Sequence, residues 1–151
     1  MKPLATFRLY PDGNYFYAVI NIWATKKEMQ DHVKCGRGYM AICTPLERIL
    51  PLPSGGFRKL GQFCEINFFK GALGVGVISH EMGHAAFCWA GRKRISIPQI
   101  LDQNTQSYQS MWERTDTATR QSPNNPEERV VYVLGELCRK FVLKGLKLGL
   151  Y

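Results

Sequence analysis

The segment His80-Glu81-Met82-Gly83-His84 constrains the fold of this chain more than any other feature. It contains two of the three histidines in the 151 residues. In a helix, His80 and His84 lie one turn apart and project from the same face. Two neutral imidazoles at that spacing can hold one Zn²⁺, with Glu81 beside the open coordination position. The segment therefore predicts a helix that carries a metal site.

The flanks of this motif are apolar on both sides. Residues 71–79 and 85–90 contain only small and apolar side chains apart from Ser79. A helix that is apolar nearly all round is typical of a buried position. Unpaired buried imidazoles and carboxylates cost on the order of several kcal/mol, and a metal would supply their partners. The alternative is a structural helix with these residues at its surface or as caps.

A catalytic zinc site has three protein ligands and one water, so two histidines are not enough. His32 is a poor third ligand because it falls in a lysine-rich helix that we expect to be exposed. The last predicted helix offers Glu128 at its third position and Glu127 on the face expected to be buried. Both lie near the positive end of the helix dipole, which favours the ionised form. Glu136, two turns further on, is a weaker choice.

Glu128 also has a structural explanation. A glutamate at the third position of a helix commonly accepts a hydrogen bond from the backbone N–H of the N-cap residue. The residues alone therefore leave Glu127 and Glu128 as alternatives.

The chain resembles a minimal zinc metallopeptidase of the gluzincin type, in which H-E-x-x-H is followed by a glutamate ligand on a later helix. Small phage-encoded and bacterial zincin-like proteins share an acidic residue, a tyrosine and a glycine spaced as in residues 128–135. The resemblance covers about residues 60 to 145. It implies Glu128 as the third ligand and a role for Tyr132 in donating a hydrogen bond to the developing oxyanion. A packed aromatic ring is the alternative for Tyr132.

The motif departs from the three-histidine branches of this group. Phe87 stands at the sixth position after Glu81, and no histidine follows His84. This spacing argues against the metzincins and against the small zincins associated with DNA repair.

The resemblance implies a zinc-dependent hydrolase, most simply a peptidase acting on a protein or peptide. His80, His84 and Glu128 would hold Zn²⁺, and Glu81 would serve as the general base for a metal-activated water. The alternative is a zinc-stabilised, non-catalytic binding or inhibitor protein of phage or mobile-element origin.

The sequence predicts one α+β, zincin-like domain over residues 1–151, with a small antiparallel or mixed sheet packed against two helices. Residues 1–69 are expected to be mainly strands with one short helix. The active-site helix is predicted over 70–90, a polar loop over 102–125 and the C-terminal helix over 125–148. The polar loop is either a lid over the site or a plain surface loop.

Local signals place the elements of the first half. Alternating and β-branched residues predict strands, and Pro-Asp-Gly-Asn predicts a tight turn. Thr25 and Glu28 have the spacing of a capping box. The predicted elements are strands over 6–10, 15–24, 38–44 and 63–69, a turn over 11–14, a helix over 25–33 and a loop over 45–61. The exposed edge of the 63–69 strand could take an extended peptide; an ordinary covered edge is the alternative.

Charge and cysteine content bear on partners and compartment. The net charge is +8, but the basic residues are dispersed and form no recognisable nucleic-acid motif, so nucleic acid is possible but not favoured. No apolar run is long enough to span a membrane. The five cysteines include no C-x-x-C pair, and no signal-peptide pattern is visible, so a cytoplasmic location is expected.

Metal content distinguishes the two candidate glutamates. If Glu128 is the third ligand, Glu128→Ala will lose zinc, whereas Glu127→Ala will retain it, because only one carboxylate can complete the site. Elemental analysis of the purified variants measures this. Full zinc retention in both variants would contradict the assignment of the third ligand to the start of this helix.

Overall fold

A computed structural model describes residues 1–36, 38–46, 49–95 and 126–151. Within these ranges, only the backbone is described for residues 49–51, 57–59 and 126–128. The fold is α+β. The strands are β1 (Ala5–Leu9), β2 (Tyr17–Trp23), β3 (Ala41–Pro45), β4 (Ile49–Pro51), β5 (Phe57–Lys59) and β6 (Gln62–Phe69). The α-helices are α1 (Lys26–Val33), α2 (Val75–Lys93) and α3 (Pro126–Lys147), with a 3₁₀ turn over Lys70–Ala72.

The main sheet is mixed and has four strands in the order β1-β2-β6-β3. β1 and β3 run antiparallel to their neighbours, whereas β2 and β6 are parallel. Because β6 pairs on both sides, the 63–69 strand has a covered edge, which was one of the two alternatives that the sequence left open. Among the described residues, β3 forms the edge on that side of the sheet.

The N-terminal hairpin and the short helix confirm the local sequence signals. β1 and β2 pair from Ala5–Ile22 to Leu9–Ala18 around the predicted turn. Thr25 caps α1, because its hydroxyl accepts a hydrogen bond from the backbone N–H of Glu28 at 3.2 Å. The Glu28 carboxylate accepts one in return from the Thr25 N–H at 3.0 Å. Both groups of the capping box are therefore satisfied.

The segment predicted as a loop over 45–61 contains a two-stranded hairpin instead. β4 and β5 pair antiparallel, with Pro51 opposite Phe57. Gly55 and Gly56 have φ values of 84° and 91°, which glycine adopts without strain. These two glycines thus allow the chain to reverse between β4 and β5.

The apolar core lies between one face of the sheet and the helices α2 and α3. The fully buried side chains there include Ile20, Ile66, Phe68, Met82, Leu137 and Phe141. The centroid of the Phe141 ring on α3 lies 5.2 Å from the ring centroid of Phe68 and 5.9 Å from that of Phe7. This packing holds the helix with the histidines directly on the sheet. No described helix is both long and apolar enough to cross a lipid bilayer.

The opposite face of the sheet carries a buried polar network beneath α1. The Asn67 side-chain oxygen accepts hydrogen bonds from Trp23 Nε1 at 2.9 Å and from Asn21 Nδ2 at 3.2 Å. The Asn67 amide donates to Glu65 at 3.0 Å. Asn67 is fully buried, and this network pairs its oxygen and its nitrogen. Its loss would therefore leave buried donors without an acceptor.

Replacing Asn67 by leucine, which has the same branched shape but no polar atoms, should destabilise the protein by about 2–5 kcal/mol, since two buried donors lose their acceptor. Denaturant unfolding followed by circular dichroism measures this loss. Gln62→Leu in the same strand is the control, because Gln62 is only partly buried and bonds a backbone carbonyl. Equal stability of Asn67→Leu and wild type would show that the network contributes nothing.

Candidate active site

Helix α2 presents one side to the core and the other to an open cleft. Its buried positions include Ile78, Met82, Ala85, Ala86 and Trp89, whereas His80, His84 and Phe87 are exposed. The expectation of a helix buried all round is therefore wrong. Gly76 and Gly83 add to its apolar appearance without requiring burial, and Val75 and Phe87 are exposed.

The imidazoles of His80 and His84 converge. Their Nε2 atoms lie 3.2 Å apart, and the ring centroids are separated by 4.8 Å at an angle of 83°. Two nitrogens bound tetrahedrally to one Zn²⁺ at about 2.0–2.1 Å would lie about 3.3 Å apart. The separation of the two nitrogens thus fits chelation of a single ion without rearrangement of the helix.

Glu81 lies on the side of α2 that faces the sheet and is only 6% exposed. Burial raises the pKa of its carboxyl group, while the neighbouring His80 and His84 oppose that rise. The backbone of Cys43 on the neighbouring β3 also lowers the pKa of this carboxyl group. Glu81 is therefore held between the histidine pair and the edge strand.

A cleft with a volume of about 650 Å³ opens beside these residues. A second cavity of about 350 Å³ shares Tyr39, Ala41, His80 and Glu81 with it. Together the two cavities follow β3 and the segment before it, from Pro45 back to Gly38. The histidines and Glu81 therefore stand at the middle of a groove that runs along the sheet edge.

The candidate third ligands lie on α3. This helix begins at Pro126, as the sequence predicts, but the side chains of Glu127 and Glu128 lie outside the described residues. The guanidinium of Arg129 lies 5.9 Å from the centre of the Trp89 ring, so the start of α3 runs alongside the second half of α2. The assignment of Glu128 stays a prediction.

The other candidates have different surroundings. Glu136 forms two hydrogen bonds with Arg139, each of 2.9 Å, which lower the pKa of its carboxyl group. The Nε2 atom of His32 lies 3.4 Å from Oε1 of Glu65, and the His32 ring lies beside the ring of Trp23. Both contacts are on the face of the sheet opposite α2. Tyr132 is 68% exposed and does not line the cleft beside His80. Its role at an oxyanion stays a prediction, and its exposure does not favour the alternative of a packed aromatic ring.

Three cysteines meet beside the site, a grouping that their wide sequence separation conceals. Cys43, Cys64 and Cys88 come from β3, β6 and α2, and each affects the pKa of the others. The neighbouring Cys43 and Cys64 lower the pKa of the Cys88 thiol, whereas the neighbouring thiols and burial raise the pKa of Cys64. Cys43 and Cys88 line the cleft with His80 and His84. Only the position of Cys88 one turn beyond His84 hinted at this in the sequence.

Within the described ranges, no three histidine, cysteine or acidic side chains are arranged to hold a metal ion. Of the predicted zinc site, these ranges therefore contain the two converging imidazole nitrogens of His80 and His84. Comparison with protein-family models, with curated proteins and with solved structures found no match. The resemblance to zinc metallopeptidases thus rests on the motif and its local geometry.

The histidine pair predicts metal binding that can be measured directly. His80→Ala or His84→Ala should weaken zinc binding more than about 100-fold, because each removes one of few ligands. Isothermal titration calorimetry with Zn²⁺ measures the change. His32→Ala is the matched control, since His32 is an exposed histidine outside the cleft, and it should bind zinc like the wild type. Unchanged affinity in the His80 and His84 variants would exclude this site.

Proposed function

We propose that this protein is a zinc-dependent peptidase that cleaves an extended peptide bound along β3. The observation that carries the proposal is the convergence of His80 and His84 at 3.2 Å, with the Glu81 carboxylate next to them at the middle of a groove. Two imidazoles and a carboxylate in this order can hold a metal and move a proton.

The donor set suits Zn²⁺. His80 and His84 would supply two nitrogen ligands, and Glu128 is the proposed third ligand on α3. When bound, Zn²⁺ would lower the pKa of a coordinated water and polarise the carbonyl group of the substrate.

Glu81 is the proposed general base. Its carboxylate would accept the proton of the attacking water and deliver it to the leaving amine. The raised pKa that burial gives this group makes it a stronger base than an exposed glutamate. Tyr132 is proposed as an oxyanion donor, which requires its exposed ring to turn toward the site.

The substrate would bind as an additional strand. The backbone of an edge strand can pair with an extended peptide, and β3, rather than β6, has that position in the described sheet. Five residues of strand span about 17 Å. Ala41 and Cys43 of β3 line the cleft together with Glu81. A strand added along β3 would therefore present a peptide bond beside Glu81.

Glu81→Gln separates catalysis from metal binding. The amide keeps the shape of the carboxylate but cannot accept a proton, so turnover should fall at least about 100-fold while zinc content stays unchanged. Cleavage of a denatured protein mixture, read by mass spectrometry, measures turnover.

Glu65→Gln is the matched control, because this carboxylate lies across the sheet, and it should retain activity. Metal-dependent cleavage that persists in Glu81→Gln would contradict the mechanism. Zinc binding without any cleavage by the wild type would favour the non-catalytic binding protein instead.

A further inference from the structure

We propose that a basic groove between β1 and the end of α3 docks on membrane surfaces that carry anionic phospholipids. Lysines of α3 would pair with lipid phosphate groups, while neighbouring leucines enter the outer part of the acyl region. Among the described residues, none lines both this groove and the cleft beside His80. The proposal therefore goes beyond the proposed peptidase function and does not depend on it.

The groove is a cavity of about 320 Å³ between a strand and a helix. It is lined from the β1 side by Arg8, Leu9 and Tyr10 and from α3 by Lys140, Leu143, Lys144 and Lys147. The four residues of α3 follow the i, i+3, i+4, i+7 spacing that places them on one face of the helix. The volume lies near the lower end of ligand cavities and suits the headgroup of one lipid.

Two of the cations are positioned by contacts with the strand side. The guanidinium of Arg8 lies 4.5 Å from the centre of the Tyr17 ring, a distance at which a cation is attracted to the face of an aromatic ring. The Nζ atom of Lys140 donates a hydrogen bond to the carbonyl of Tyr10. These contacts hold positive charge beside the groove without neutralising it.

The remaining charge balance favours an anionic partner. Glu136 lies 3.8 Å from Lys140 but makes its shorter contact, at 2.9 Å, with Arg139. In the described part of the chain, no carboxylate forms an ion pair with Lys144 or Lys147. Crowded cations of this kind attract and concentrate anions.

Exposed leucines border the same groove and favour a lipid surface. Leu143 lines the groove and is 47% exposed, and Leu146 and Leu148 are 60% and 44% exposed. Leu143 and Leu146 are three residues apart and therefore neighbours on the helix surface. A nucleic acid would pair with the lysines but leave these leucines in water, whereas a membrane interface accepts both kinds of side chain.

The end of α3 is closed by hydrogen bonds that fix these leucines. The N–H of Leu150 donates to the carbonyl of Gly145 at 3.0 Å, and the N–H of Gly149 donates to that of Leu146 at 3.2 Å. Gly149 has a φ of 64°, as is common at a closed helix C-terminus. The ring of Tyr151 lies against Gly145, where an added Cβ atom would collide with it. The surface is thus preorganised, which lowers the cost of binding.

The test is sedimentation of the full chain with vesicles of phosphatidylcholine, with or without phosphatidylglycerol. We expect binding only to the anionic vesicles. Lys144→Gln combined with Lys147→Gln should weaken this binding about 20-fold, since each lysine near such a surface contributes about fivefold. Lys34→Gln combined with Lys70→Gln is the charge-matched control, because both lysines are exposed and lie outside the groove. Equal loss of binding in the two double variants would overturn the proposal.

A leucine variant distinguishes a membrane from other partners that carry phosphate. Leu146→Ser leaves the charge unchanged and should weaken vesicle binding about 10-fold, because less apolar surface enters the lipid. Leu52→Ser is the control, since Leu52 is an exposed leucine between β4 and β5, and it should bind like the wild type. Unchanged binding of Leu146→Ser, or tighter binding of the wild type to a DNA duplex than to the vesicles, would contradict docking on a membrane.

Discussion

The packing of one side of α2 against the sheet is the interaction on which the site depends. Met82, Ala85 and Ala86 are buried against the sheet and α3. A helix turns by about 100° per residue. Burial of these three side chains therefore sends His80 and His84 to the open side and leaves Glu81 at the boundary, where it meets β3. Small side chains at 85 and 86 let the helix approach the strands closely.

A buried polar contact fixes the end of α2 relative to the chain around β3. The guanidinium of Arg92 is buried and donates hydrogen bonds to the carbonyls of Leu46 and Leu60, each at 2.8 Å. Glu81, in the first half of the helix, is also buried, beside Cys43 on β3.

Local signals predicted several elements correctly because each depends on neighbouring residues. The capping box of Thr25 and Glu28 and the turn between β1 and β2 need few long-range contacts. The β4–β5 hairpin was missed because Gly55 and Gly56 favour loops and tight turns alike. The position of β6 inside the sheet depends on pairing with β2 and β3, which no local pattern encodes.

The sequence by itself determined the spacing of His80, Glu81 and His84, because helical periodicity places the two imidazoles on one face. It also determined the helix that begins at Pro126. Only the tertiary structure decided that the histidines face a cleft, that β3 provides the edge, and that Cys43 and Cys88 line the same cleft. These features arise from contacts between residues far apart in the chain, which are settled by packing of the common core rather than by local pattern.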